Sequence, residues 1–265
     1  MNEAPLVPAI EVSGLVKDFR IFHRSHGKLK ALLSAWLGAL MRRGAASGYS
    51  TYRALDGVTF TVPFGQAVAL IGHNGSGKTT LLSVLSRVYL PTAGWARLNG
   101  PMISLLELGA GFHGELTAEE NVYFTGAIRG LDESQVRDRY EAIVEFAELC
   151  EDQMDLPVRM FSSGMQLRLA FAVSVNMDAD ILLIDEGLAV GDEAFQEKCF
   201  RKIEEFKAQG KTLVIVTHEL DHAERLADRA LWLEHGKLVA DGEAKAVLAD
   251  YRRAMMQGAS LDALR

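Results

Sequence analysis

Short uninterrupted apolar runs alternate along this chain with stretches whose apolar positions recur every three to four residues. The runs Ile10 to Leu15, Val58 to Val62, Ala67 to Ile71, Ile181 to Ile184, Leu213 to Val216 and Ala230 to Leu233 read as strands. Several lack polar alternation, as strands buried on both faces do. Helical spacing falls on Lys78 to Val88, Ala118 to Ile128, Glu133 to Leu149, Ser163 to Val175 and Glu193 to Ala208, and Asp241 to Gln257 is expected to form a closing helix. That order predicts an α/β fold, a mainly parallel sheet with helices on its faces. The mostly helical stretch from Glu107 to Met177 separates two strand-bearing parts and reads as an inserted lobe. The expected single domain has a core over 10–106 and 178–240, a helical subdomain over 107–177, and a C-terminal helix and tail over 241–265.

Composition narrows the class. A chain of 265 residues, 49% hydrophobic, suffices for one sizeable core. Its two cysteines, Cys150 and Cys199, form no C-x-x-C pair, so neither a disulfide framework nor a zinc site of that kind is expected. The first residues lack the layout of a secretory signal, and no apolar run reaches the roughly 20 residues that span a bilayer, so the expectation is a soluble or peripheral protein.

The net charge of −7 argues against a general nucleic-acid binder, but the charge is unevenly placed. From Arg20 to Arg53 there are seven Lys/Arg and no Asp/Glu, so that segment is +7 and the remaining chain −14. Within this insertion (20–52), Leu29, Leu32, Leu33, Trp36, Leu37 and Leu40 follow helical spacing, flanked by Lys28, Lys30, Arg42 and Arg43. A helix of about 16 residues is roughly 24 Å long, too short to cross a membrane. The stretch 28–43 fits an anionic membrane surface, an apolar face on another molecule, or the chain's own domain.

Candidate chemistry begins at Gly72-His73-Asn74-Gly75-Ser76-Gly77-Lys78-Thr79, which fits the phosphate-loop pattern G-x-x-x-x-G-K-[ST] and lies between a predicted strand and a predicted helix. Glycines let the loop curl so that backbone N–H groups point inward and, with the helix N-terminus, cradle an anion. Lys78 is placed to reach the β- and γ-phosphates and Thr79 to bind Mg²⁺. The apolar run Ile181-Leu182-Leu183-Ile184 carries Asp185 and Glu186 to a strand's C-terminal edge, where Asp185 can hold Mg²⁺ through water and Glu186 can polarise the attacking water. His218 ends a second buried strand pointing to the same edge and is expected to contact the γ-phosphate.

One further stretch, Phe161-Ser162-Ser163-Gly164-Met165-Gln166, opens a helix. Ser163 and Gln166 have the S-x-x-Q spacing of a capping box, which assigns Ser163 to the cap and leaves Ser162 and the amides around Gly164 free. With Arg168 close behind, this stretch resembles the Leu-Ser-Gly-Gly-Gln signature of the nucleotide-binding subunit of ABC transporters, and the resemblance runs from about Ile10 to Leu248.

That resemblance implies a P-loop NTPase with a RecA-like core and an inserted α-helical signature subdomain. It implies an ATPase with ATP and Mg²⁺ as ligands, ATP held by residues 72–79 together with Thr80, Mg²⁺ held by Thr79 and Asp185, and Glu186 and His218 in catalysis. An aromatic residue near the first hairpin would stack on adenine, either Phe19 or Tyr52. Ser162, Ser163, Gly164 and Met165 would cap the γ-phosphate of ATP bound by a second copy, and Asp192 would lie at the interface between copies.

Ser163 and Met165 depart from the usual signature, and Phe-Ser-Ser-Gly-Met is similar to the form found in exporters of bacterial polysaccharides such as O-antigen, capsule or teichoic acid. The stretch Leu106 to Phe112 is also similar to that group; it lacks the usual glutamine, and Glu107 takes that position. Implied partners are a second copy, two copies of a membrane permease subunit and a lipid-linked polysaccharide, with no nucleic acid, at the cytoplasmic face of the bacterial inner membrane; the resemblance adds the permease and the lipid-linked glycan to the surfaces on which 28–43 could dock. An ABC ATPase for another cargo, and a soluble one in DNA repair or translation, stand as alternatives.

Overall fold

The computed structural model describes residues 7–22, 49–106, 108–185, 191–217 and 219–258. The amphipathic stretch 28–43, Glu107, Glu186 and His218 lie outside the described residues.

Two sheets organise these residues. β1 (Ile10–Phe22), β2 (Tyr49–Val62) and β4 (Ala93–Leu98) form an antiparallel sheet in the order β2-β1-β4. The second sheet has the order β5-β6-β7-β3-β8-β9, built from β3 (Ala67–Ile71), β5 (Met102–Ser104), β6 (Ile181–Ile184), β7 (Thr212–Val216), β8 (Arg229–Glu234) and β9 (Lys237–Glu243). Its first five strands run parallel and β9 returns antiparallel to β8. Every residue of β3, β6 and β7 is buried, which is why each reads as an apolar run without alternation.

The helices are α1 (Lys78–Leu85), α2 (Ala118–Ile128), α3 (Glu133–Ala147), α4 (Glu151–Met154), α5 (Ser163–Val175), α6 (Glu193–Ala208), α7 (Leu220–Leu226) and α8 (Ala244–Gln257). Caps set several boundaries. Thr117 and Glu120 form a reciprocal capping box at the start of α2, and Asp132 and Gln135 do the same for α3. One apolar cluster joins α2, α3 and α5, through Val122, Val136, Ile143, Leu169 and Phe171, to the β6 and β7 side chains Leu182 and Ile215. A second cluster packs Leu81, Leu82 and Leu85 of α1 between Val68 and Leu70 of β3 and Leu55, Val58 and Phe60 of β2. This packing anchors α1 behind the loop that precedes it.

Departures from the expected pattern lie mainly in exposed elements. β4 and β9 carry no buried residue, so their sequences give no apolar run to read. β9 takes Asp241 to Glu243, so the closing helix begins at Ala244. α1 ends three residues early, because Arg87 adopts a left-handed backbone (φ 65°). The ends of the basic insertion are strand, with Arg20, Ile21 and Phe22 registered opposite Thr51, Ser50 and Tyr49. Cys199 is fully buried and its thiol is pushed up to about 12 by desolvation, which keeps it protonated and unreactive.

Candidate functional site

The order β6-β7-β3 brings the C-terminal ends of three parallel strands side by side. Neighbouring strands lie about 4.8 Å apart, so the ends of β6 and β3 are separated by roughly 10 Å, with the end of β7 between them. β3 leads into residues 72–79, β6 into Asp185, and β7 ends at Val216, two residues before His218. Among the predicted site residues, the fold thus gathers the phosphate loop and Asp185 at one edge, the usual ligand crevice of an open parallel sheet.

Close backbone approaches shape the loop. A Cβ on Gly72 (φ +147°) would sit 2.2 Å from the Leu233 carbonyl oxygen, and one on Gly77 (φ +108°) 2.6 Å from that of Ala54. No side chain fits at either position, which explains both glycines. The Gly236 amide donates to the Ser76 carbonyl at 2.8 Å, fastening the β8–β9 turn to the loop. Lys78 is only 6% exposed, and its Nζ donates to the carbonyls of Gly72 at 2.8 Å and His73 at 3.1 Å. The ammonium is therefore held inside the curl of the loop, while Asn74, Gly75 and Thr79 are exposed at its mouth.

A cavity of about 300 Å³ opens over this loop, lined by Ala54, Asn74, Gly75, Gly77, Thr79 and Thr80 together with Lys78 and Tyr52. Tyr52 is 47% exposed there. Phe19 is registered opposite Tyr52 but turns to Tyr89, edge to face with centroids 5.3 Å apart, and Lys17 Nζ lies 5.0 Å from its ring. Of the two aromatic candidates, only Tyr52 lines the cavity. The cavity thus combines an ammonium, the amides at the start of α1, an exposed hydroxyl and an aromatic wall, a donor set suited to a polyphosphate joined to a flat base.

The start of α5 differs from expectation. Ser162, not Ser163, is the N-cap: its Oγ accepts from the Met165 amide at 3.2 Å. Met165 is then the third helical residue, so no capping box forms, and Gln166 instead donates through Nε2 to the carbonyls of Val158 at 3.0 Å and Phe161 at 3.5 Å. Burial of Phe161 (6% exposed) fixes this register, and the Met165 side chain packs on the helical core. Ser162 and Ser163 are exposed, and Ser163 and Gly164 supply the first two helical amides, which no intrahelical bond can satisfy.

Asp192 has two partners in its own chain. Its Oδ1 caps α6 by accepting from the Phe195 amide at 3.0 Å, and its Oδ2 accepts from Arg168 Nη2 at 2.6 Å. Arg168 also bonds Glu148 at 2.6 Å and lies 4.7 Å from the Phe195 ring, so it ties α5 to α3 and α6.

Sequence reasoning passed over Asn121. This fully buried amide accepts from the His113 amide at 2.7 Å and donates to the carbonyls of His113, Leu116 and Thr117, which organises the loop between β5 and α2. An asparagine inside the first turn of an apolar helix was the available signal. Beside that loop a groove of about 370 Å³ runs between Leu108, Gly109 and Phe112 on one wall and Arg159, Ser163 and Leu167 on the other.

The pattern that describes the ABC transporter family matches residues 55–189, half of the chain. This chain belongs to the ABC transporter family. Among ABC relatives, the O-antigen export system ATP-binding protein RfbB of Myxococcus xanthus is 45% identical over 250 residues, covering 93% of this chain and 56% of the relative. The chain thus spans little more than half of that protein. RfbB of Klebsiella pneumoniae is 41% identical over 248 residues, 94% of this chain and 99% of the relative. The teichoic acids export ATP-binding protein TagH of Listeria innocua is 40% identical over 235 residues, 89% of this chain and 67% of the relative. A solved ATP-binding subunit of an ABC transporter superposes with a TM-score of 0.69 at 24% identity, covering 97% of each chain. A dimeric ATP-binding cassette in a post-hydrolysis state with ADP and Pi superposes with a TM-score of 0.67 at 20% identity, covering 89% of this chain and 98% of the other. At those identities the superpositions speak for the ABC fold alone.

Proposed function

We propose that this chain binds and hydrolyses ATP as the energy-supplying subunit of an exporter for a lipid-linked bacterial polysaccharide of the O-antigen, capsular or teichoic-acid kind. The cavity that joins Tyr52 to the phosphate loop carries the ATP half of this reading. The cargo half is supported by the Klebsiella export protein, 41% identical across 99% of its length.

In this reading adenine stacks on Tyr52 and the phosphates lie over Lys78 and the amides of residues 75–80. Thr79 and Asp185 hold Mg²⁺, which when bound neutralises charge on the phosphate oxygens. Glu186 polarises the attacking water and His218 contacts the γ-phosphate. A second copy closes the site with Ser162, Ser163 and Gly164, so two copies facing head to tail enclose two nucleotides. The exposed start of α5 suits that role, because its free amides point positive dipole at an anion. The groove between Leu108 and Leu167 receives the membrane permease, and the ATPase works from the cytoplasmic face of the inner membrane. No helix among the described residues is long and apolar enough to cross a membrane.

Two results check this. Tyr52→Ala is expected to weaken ATP binding by about 1–3 kcal/mol, the usual worth of one base–aromatic stack, whereas Phe19→Ala leaves affinity unchanged; titration of a fluorescent ATP analogue distinguishes them, and the reverse ranking would move adenine to Phe19. Cells lacking the chain are expected to lose surface polysaccharide and accumulate it on its lipid carrier inside. Surface glycan unchanged in such cells would assign the ATPase to another cargo.

A further inference from the structure

His73, the second residue of the phosphate loop, does more than complete a motif. Its Nδ1 lies 2.7 Å from the Asn74 carbonyl, which can only accept, so Nδ1 carries the proton and Nε2 is left with its lone pair. That Nε2 is buried and has no hydrogen-bond partner. Its ring faces a second imidazole, His235, with centroids 4.9 Å apart. Ligand atoms of His73, Glu234 and His235 all lie within 4.8 Å of one another.

The β8–β9 turn delivers two of the three groups. His235 and Gly236 form its two-residue loop, with φ of 46° and 80°, the geometry of a mirror-image turn in which asparagine and glycine are favoured. Histidine therefore occupies a position where asparagine would sit with less strain. The turn cannot drift from the loop, since Gly236 donates to Ser76 and a Cβ on Gly236 would come within 2.7 Å of the Ala54 carbonyl.

We propose that His73, Glu234 and His235 form a binding site for a dication of the zinc class, which clips the phosphate loop to the β8–β9 turn. Two imidazoles and a carboxylate are a nitrogen-rich set that suits Zn²⁺, Co²⁺ or Ni²⁺ and not Mg²⁺, which wants oxygen ligands. A metal-bound histidine usually donates its other ring N–H to a carboxylate, a backbone carbonyl or water, and His73 donates to the Asn74 carbonyl. Bonds of about 2.0–2.1 Å in tetrahedral geometry place ligand atoms roughly 3.3 Å apart, so small side-chain rotations close the site, with the fourth position open to water. The site is separate from Thr79 and Asp185 and stands whether or not the export reading does.

The test uses the untagged full chain, stripped of metal and free of nucleotide, titrated with CoCl₂ and with ZnCl₂. One saturable Co²⁺ per chain with tetrahedral visible bands is expected, together with displacement by Zn²⁺ and none by excess Mg²⁺. Glu234→Gln and His235→Asn should each weaken binding at least about tenfold; asparagine keeps the left-handed turn, so the metal-free melting temperature should hold. Two variants on different residues keep the test decisive if one fails to fold. Equal affinity in wild type and both variants, or no saturable binding of either ion, would overturn the proposal.

Discussion

Glu186→Gln is expected to bind ATP as the parent does and to hydrolyse it roughly 10² to 10⁴ times more slowly, the usual share of a positioned general base. Glutamine keeps the size and one carbonyl oxygen of the side chain but cannot take up a proton. In the proposed reading Asp185 would still hold the metal, and the loop contacts of Lys78 to Gly72 and His73 are untouched. Binding and chemistry therefore separate, and the closed pair of subunits accumulates because it cannot reach the product state. Turnover at the parental rate would remove Glu186 from the mechanism and leave its neighbour Asp185, or a water held elsewhere, to do its work.

Gly164→Asp is expected to abolish steady-state hydrolysis while leaving the subunit as stable as before. A Cβ at Gly164 meets nothing closer than Ser162 Oγ at 3.9 Å, so the chain's own packing accepts it. A carboxylate in the first turn of α5 also complements the helix dipole, worth about 0.3–1 kcal/mol in favour of the fold. Toward a γ-phosphate from another subunit the same charge is repulsive, and like charges set together at an interface cost several kcal/mol, roughly 10²-fold or more in affinity. Activity should therefore be lost with no loss of stability. Melting curves and ATPase rates measured side by side decide it; full activity in this variant would mean that α5 faces no nucleotide.

The buried strands and the phosphate loop were legible in the sequence because their requirements are local. Ala67–Ile71, Ile181–Ile184 and Leu213 to Val216 must be apolar on both faces, and Gly72 and Gly77 admit no Cβ. β4 and β9 were not legible, since strands without buried residues carry no apolar signal. The cap of α5 was ambiguous for a different reason. Two consecutive serines offer two registers one residue apart, and the choice of Ser162 depends on Gln166 reaching Val158 and Phe161, a contact that spacing alone does not disclose. The preference of the cavity for Tyr52 over Phe19 likewise came from Tyr89, which sits far along the chain and occupies the Phe19 ring.

The central claim is that ATP bound by one copy is completed by the start of α5 of another. Its most direct test is the solution mass of Glu186→Gln with and without saturating ATP, compared with that of Glu186→Gln/Gly164→Asp. The single variant is expected to double from its 29.0 kDa when ATP is added. The double variant should bind ATP and stay at the monomer mass. Equal ATP-driven doubling in both would contradict the claim.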